Sequence, residues 1–283
     1  MVLKVVTDSS ADLPEKLAKD LGITVVPLYV LFGAEVYRDR VDISEEEFYR
    51  KLREDAVHPS TTQPSPQDFA AVYRELSRGA DGIISIHISG KLSGTVNSAL
   101  RGRDIASVGP PVEVIDSLTL TMGLGLLVLG AARLAKNGAA FQEAVDKTRN
   151  GVKNIHLLGL LDTLKYVARG GRIGKAKTLL GTVLSVKPLL TLEEGETVPA
   201  GQVRSRARGI DRLFSFVENT PGVQEAAVVY NTTPDEAREL VDRISAVVPA
   251  GRIHLATVGP VLGVHMGPGA LIVALRQDQG PSV

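Results

Sequence analysis

At 283 residues the chain can form one large domain or two medium ones, and 44% hydrophobic with 23% charged residues is the balance of a globular protein with a full core. Lys plus Arg and Asp plus Glu both total 32, so no net charge marks a nucleic-acid or membrane-surface footprint, and 4% aromatics with no Trp leaves little for base stacking. The absence of Cys excludes disulfides, thiol catalysis and Cys-ligated zinc.

The apolar run at Met1–Val6 is too short for a signal peptide, which points to a cytoplasmic protein. Leu3–Val6 and Ile23–Leu31 read as strands, with a helix over Pro14–Leu21 between them that opens near Asp12 or Leu13. Ser44-Glu45-Glu46-Glu47 has the form of a capping box and opens a helix to about Glu54. A helix over Pro66–Arg78 follows, then apolar strands at Gly82–Ile88 and Val112–Ile115 of the kind buried on both faces. The uncharged stretch between Asp116 and Arg133 is shorter than a membrane span and holds several Gly, so Leu118–Ala135 is predicted as a buried helix, with no stable membrane insertion. A helix over Ala139–Arg149 completes this half.

Composition shifts near Asn150-Gly151. Ile155–Leu160 starts a second series, followed by a helix over Lys175–Val186 and a hairpin of Leu189–Thr191 and Thr197–Pro199 around the acidic turn Glu193–Glu196. Helices over Arg204–Glu218 and Pro234–Val247 and strands near Ala226–Tyr230, Ile253–Thr257 and Ala270–Leu275 complete it. Strands alternating with helices give an α/β fold of two α/β domains, 1–152 and 153–283. The N-terminal one has a mainly parallel sheet flanked by helices, and ligand is expected in the inter-domain cleft.

Six segments carry candidate chemistry, and four of them, around Thr61–Ser65, Ser89–Thr95, Arg169–Lys175 and His265, set hydroxyls, cations or an imidazole beside bare backbone. Thr7-Asp8-Ser9-Ser10-Ala11-Asp12 follows the first strand, where it either lines a site or simply caps a helix. Ser60-Thr61-Thr62-Gln63-Pro64 offers hydroxyl donors, or is a polar loop leading into the next helix. Ser89–Thr95 joins an apolar strand to a helix start, where Gly90 and Gly94 admit an anion to free N–H groups and Ser93 adds a hydroxyl; Ser as a plain N-cap is the competing reading. Arg169–Lys175 is not a P-loop, because Arg169 stands where the first Gly belongs and Ala176 follows Lys175. Arg172 on that Gly-rich turn suits a carboxylate or phosphate, or is a solvated cation. Arg204, Arg206 and Arg208 alternate at a helix start, opposed to the helix dipole; a surface basic patch is the bland alternative. Gly259-Pro260-Val261-Leu262-Gly263-Val264-His265-Met266-Gly267-Pro268-Gly269 frames His265 on both sides, and the five His lack metal-ligand spacing. Together the segments describe a site for an anionic group.

These pieces, in this order, resemble the DegV family of bacterial fatty-acid-binding proteins: Thr7–Leu13, Thr61–Ser65, Leu92–Thr95, Val114–Ser117, Gly170–Ile173, Lys187-Pro188 and the His265 segment, spanning about residues 4–275. Two departures are local: Thr62 where the family often has Ser, and Ser89-Gly90-Lys91 where it often has Ser-Ser-Gly. The resemblance implies a non-catalytic protein that holds one long-chain fatty acid between two α/β domains and presents its carboxylate to a partner fatty-acid kinase, which makes an acyl phosphate. It places Thr61, Thr62, Ser93, Gly94 and His265 at the carboxylate, and gives Arg172 and Arg204 to phosphoryl transfer or kinase docking. It calls for no cofactor. The competing enzyme reading is a Ser93–His265 hydrolase of an acyl ester or acyl phosphate, although Ser93 lacks a Gly-x-Ser-x-Gly elbow. A sugar- or amino-acid-binding module is the third, weakened by the few aromatics.

Overall fold

Pro27 decides the first departure from the sequence reading. It divides Ile23–Leu31, read as one strand, into two strands that enter different sheets. The structure, a computed structural model, describes residues 1–55, 57–179 and 186–277. In chain order its elements are β1 (Leu3–Asp8), α1 (Glu15–Asp20), β2 (Ile23–Val26), β3 (Tyr29–Phe32), β4 (Glu35–Arg38), α2 (Glu45–Glu54), β5 (Ser60–Thr62) and α3 (Pro66–Ser77). Then come β6 (Gly82–His87), α4 (Thr95–Ala106), β7 (Val112–Asp116), α5 (Thr121–Lys136), α6 (Phe141–Gly151), β8 (Ile155–Leu160) and α7 (Lys165–Arg169). The remainder is β9 (Lys187–Glu193), β10 (Glu196–Val203), α8 (Arg206–Glu218), β11 (Val223–Tyr230), α9 (Pro234–Ile244), β12 (Ile253–Thr257), α10 (Pro260–Met266) and β13 (Leu271–Gln277).

The fold is α/β. A parallel sheet runs β2-β1-β6-β7, with its loops after β1 and β6 at the carboxyl edge. A six-stranded sheet, β10-β9-β8-β13-β11-β12, is antiparallel apart from the β11–β12 pair. A small antiparallel sheet, β4-β3-β5, contains Thr61 and Thr62, so the hydroxyl-rich segment read as a loop is an edge strand. The β9–β10 hairpin turns at Glu194-Gly195 as its acidic, Gly-containing turn predicts, both residues having left-handed backbone.

Two further expectations change. The helix predicted over Lys175–Val186 is a short 3-10 segment, Gly174–Leu179, while 180–185 lie outside the described residues. The His265 segment, where no helix was predicted, forms α10, with Pro260 at its first turn where a missing N–H costs nothing. At α2, Ser44 accepts from Glu47 N at 3.2 Å, whereas the full reciprocal box sits at α3, where Ser65 and Asp68 exchange bonds of 2.8 and 3.2 Å.

α5 is apolar on all sides because it is covered on all sides. It packs on β1 and β6 of the parallel sheet and on β8, β11 and β13 of the larger one. One core cluster therefore joins Val5 and Ile84 to Ala227 and Ile272 through Leu124, Leu126 and Leu129. A second cluster seats Val261 and Val264 of α10 against Val30, Phe32 and Phe48, so the helix carrying His265 docks on the small sheet and α2. Among the described residues no helix is long and apolar enough to cross a membrane.

Truncating α5 leaves a cavity that both sheets would have to close. Leu124, fully buried, is expected to cost about 3 kcal/mol as Leu124→Ala, read as a lower urea midpoint with unchanged slope.

Candidate functional site

The polar end is assembled from four separate segments. β5 supplies Thr61 and Thr62, the β6–α4 loop supplies Leu92 and Ser93, the turn after α7 supplies Arg172, and α10 supplies His265. These, with Gln63, Leu28 and Val261, line a pocket of about 330 Å³. Thr61 Oγ1 lies 2.9 Å from His265 Nε2, and Ser93 Oγ lies 2.8 Å from Thr95 Oγ1. Gly94 is the N-cap of α4 and stands behind this pocket, against the Gln63 amide. Arg172 is pinned by two carbonyls, Nε donating to Leu92 O at 3.1 Å and Nη1 to Gly170 O at 2.7 Å.

Gly170 is needed for His265 to fit: a Cβ there would stand 2.1 Å from Nδ1. The imidazole is thus pressed against bare backbone, with Nδ1 buried and without a hydrogen-bond partner. Burial, reinforced by the nearby Arg172 and His58, pushes the His265 pKa down to about 4, so the ring is neutral at pH 7.

A second, apolar cavity lies beside the first. The two share Leu92, Arg172 and His265. The second is walled by Leu157, Gly159 and Leu161 in a row along β8 and just beyond, by Leu190 and Leu192 of β9, and by Leu120, Leu262, Met266 and Ile272. Alternate residues of a strand share a face, so Leu157 to Leu161 covers about 13 Å. Thr191 turns its hydroxyl to Leu157 O at 2.5 Å. The wall is therefore apolar along its length, and the charge lies at one end.

Of the residues singled out in the sequence, the structure brings Thr61, Thr62, Ser93, Arg172 and His265 together, with Gly94 adjoining. Arg204 is exposed before α8 and lines neither cavity. Its neighbour Arg206, predicted with it as a basic patch, is held by Glu236 at 2.7 Å. Sequence reasoning missed the apolar lining residues Leu157, Gly159, Leu190 and Leu192, because one apolar strand position looks like another until its face is known. A Ser–His hydrolase would join Ser93 to His265. Here Ser93 bonds Thr95, His265 bonds Thr61, and Nδ1 has no carboxylate on it. No three metal-ligating side chains converge among the described residues.

The DegV family model, described only as that of an uncharacterised protein, matches residues 2–278. A DegV domain-containing protein of Caldanaerobacter subterraneus is 36% identical over 95% of this chain and 96% of its own. Among solved structures, a fatty-acid-binding DegV family protein of Thermus thermophilus superposes with a TM-score of 0.90 at 35% identity, covering 98% of this chain and 100% of that one. DegV of Bacillus subtilis, described as a fatty acid binding protein, superposes at 0.88 with 29% identity, covering 98% and 100%. The order of motifs, the α/β fold and these matches along nearly the whole chain agree: the chain belongs to the DegV family.

Proposed function

We propose that this protein binds one long-chain fatty acid, its carboxylate among Thr61, Thr62, Ser93, Gly94 and His265 and its tail in the apolar cavity. The observation that carries the reading is the joining of a small polar pocket to a long apolar one through Leu92, Arg172 and His265. Head and tail of an amphiphile are separated in the same way. The T. thermophilus and B. subtilis relatives are described as binding fatty acids, which supports the same ligand class here.

The energetics divide the labour. Each buried CH₂ contributes about 0.8 kcal/mol, so roughly fifteen carbons give on the order of 10 kcal/mol before ordering costs. A buried carboxylate needs several donors to offset its lost hydration. Hydroxyls, the amides at the start of α4 and a neutral imidazole are donors that orient it without adding a buried charge of their own. The tail thus sets affinity and the head sets orientation.

The protein presents the carboxylate rather than transforming it. A partner fatty-acid kinase makes the acyl phosphate, with Arg172 at the reacting end and Arg204 on the docking face. Arg172 combines a fixed guanidinium with exposure to solvent, as a group that meets an incoming phosphate requires.

Denaturing the purified protein, extracting it with organic solvent and weighing the extract by mass spectrometry is expected to yield about one fatty acid per chain. An empty extract together with no uptake of added palmitate or oleate rejects the reading. Ser93→Ala removes one donor and is expected to weaken the fatty acid by about 1–2 kcal/mol in a competition titration. Gly159→Leu places a side chain in the tail cavity; its Cβ meets Ile272 at an ordinary 3.5 Å, so the fold tolerates it. Palmitate binding should fall by at least about tenfold, with an eight-carbon acid less affected. Arg172→Ala should leave the dissociation constant within about twofold and slow phosphorylation by the purified kinase.

Proton linkage gives an independent check. Free His265 titrates at about 4, and a carboxylate placed beside it raises that value. Between pH 4 and the ordinary histidine value of about 6.5, binding is then accompanied by proton uptake. Calorimetry at about pH 5.5 in buffers of different ionisation enthalpy should show this uptake in the wild type and lose it in His265→Asn.

A further inference from the structure

The segment Thr7–Asp12, singled out in the sequence, contributes no atom to the polar pocket, yet its last residue is fully buried at the root of α10. Asp12 Oδ1 accepts from Gly259 N at 2.8 Å and from Arg40 Nη2 at 3.1 Å, and Oδ2 accepts from Thr121 Oγ1 at 2.6 Å. Arg40 also donates to Thr257 O at 2.5 Å and pairs with Glu45 at 3.3 Å, and Thr257 Oγ1 donates to the same Glu45 oxygen at 3.0 Å. Asp39 Oδ1 accepts from Val261 N at 3.3 Å. Four acidic or basic side chains from the N-terminal half thus hold Thr257, Gly259 and Val261, the backbone that launches α10.

Backbone conformation points the same way. Asp12, Arg40 and Thr121 have φ of 52°, 61° and 48°, a region non-Gly residues enter at a cost, and all three meet at the one Asp12 carboxylate. Gly259 completes the joint, since a Cβ on it would stand 2.8 Å from Arg40 Nε and 3.2 Å from Asp12 Oδ1. Helix capping alone would not need three strained residues on one oxygen pair.

We propose that Asp12, together with Arg40, is a positioning residue for ligand binding: through Gly259 it sets the start of α10, and so the placement of His265 at the carboxylate of the bound fatty acid. The inference rests on the fatty-acid reading and deepens it, giving the first βα turn a role in head-group selectivity. Asp12 touches no ligand. The lever is short and stiff, because His265 lies two turns along a helix whose other face is buried on Val30 and Phe48.

The ionisable groups facing Asp12 are Arg40 and Asp39 from the turn after β4 and Glu45 and Tyr49 from α2; α5 meets it with Thr121 and the β12–α10 turn with Gly259. Burial outweighs the single shared guanidinium and raises Asp12 to about 7, and Asp39 to about 6. Losing the Asp12 charge near neutrality loosens its hold on Arg40, and through Arg40 on Thr257, so head-group selectivity should respond to pH there.

The test is the ratio of affinities for palmitate and for hexadecanol, which share a tail and differ in the head. Asp12→Ala should lower this ratio by roughly tenfold, about one well-placed head-group bond, while hexadecanol affinity stays within about twofold. Equal loss for both ligands, or no loss for either, overturns the proposal, because a general weakening of the fold does not distinguish heads. If Asp12→Ala does not fold, Asp12→Asn keeps the shape and removes the titration. The wild-type ratio should then rise several-fold from about pH 6 to pH 8 and the Asp12→Asn ratio should not. Identical profiles for the two proteins overturn the proposal. Wild-type protein that binds neither ligand means that the fatty-acid reading has failed, and the inference with it.

Discussion

The rest of the molecule depends on the burial of α5 between two sheets. A helix apolar on every face has no stable place at a surface, so the parallel sheet and the larger sheet are both drawn onto it. Their mutual placement fixes the apolar cavity, whose walls come from Leu92 and Leu120 on one side and from β8, β9 and β13 on the other. A cavity bounded by two packed layers keeps its shape only if those layers cannot slide, and a shared core such as that of Val5, Leu124 and Ile272 prevents sliding.

Two constellations in this fold have the residue types of catalysis; the first lacks access and the second lacks the bonding. Asp8 Oδ2 lies 2.9 Å from His87 Nδ1, His87 Nε2 lies 2.7 Å from Ser85 Oγ, and Ser85 Oγ lies 2.8 Å from Tyr73 OH. That is the bonding order of an acid–base–nucleophile chain, but all four side chains are buried with no exposed surface, Asp8 on β1, Ser85 and His87 on β6 and Tyr73 on α3. It satisfies polar groups inside a parallel sheet, where an unpaired one would be costly. At the polar pocket the situation is reversed: His265 and Ser93 are reachable and not bonded to each other. Neither place supplies both halves of a nucleophilic mechanism.

Much of this was legible in the chain. Period and punctuation located β1, β6, β7, β8, the β9–β10 hairpin and most helices before β8, though not a helix over Lys175–Val186, because buried parallel strands and capped helices leave strong local marks. Glycine stands beside both His265 and Arg172 in the sequence, and Gly170 shows why: the imidazole occupies the space of a side chain. What was not legible had non-local causes. α10 is only seven residues long, too short to show a helical period, and it is held by carboxylates more than 200 residues away in sequence. Arg40 carries no local signal, since its left-handed backbone and its bond to Thr257 exist only once β12 is in place. Ser60–Thr62 reads as a loop because its polar residues suit one, and it becomes a strand only by pairing with β3.

Two buried carboxylates contrast in how they are paired. Glu225 of β11 is met by Arg133 at 2.5 Å, by Arg276 at 2.7 Å and by His254 at 2.9 Å. Burial alone would raise its pKa; the His254 and Arg133 bonds, with Arg276, drive it well below the usual carboxylate range. A depressed value contributes stability that is present above the ordinary Glu pKa and lost only as pH falls through the folded one, so the Glu225 carboxylate keeps its charge around pH 7. Asp12 has one guanidinium, and Arg40 divides its charge among Asp12, Asp39 and Glu45. Burial wins there, and a raised value works in the opposite sense: the contribution is fully present below the ordinary Asp pKa and is lost as pH rises through about 7. One carboxylate is therefore held by three partners across the large sheet. The other shares a single guanidinium at the start of α10.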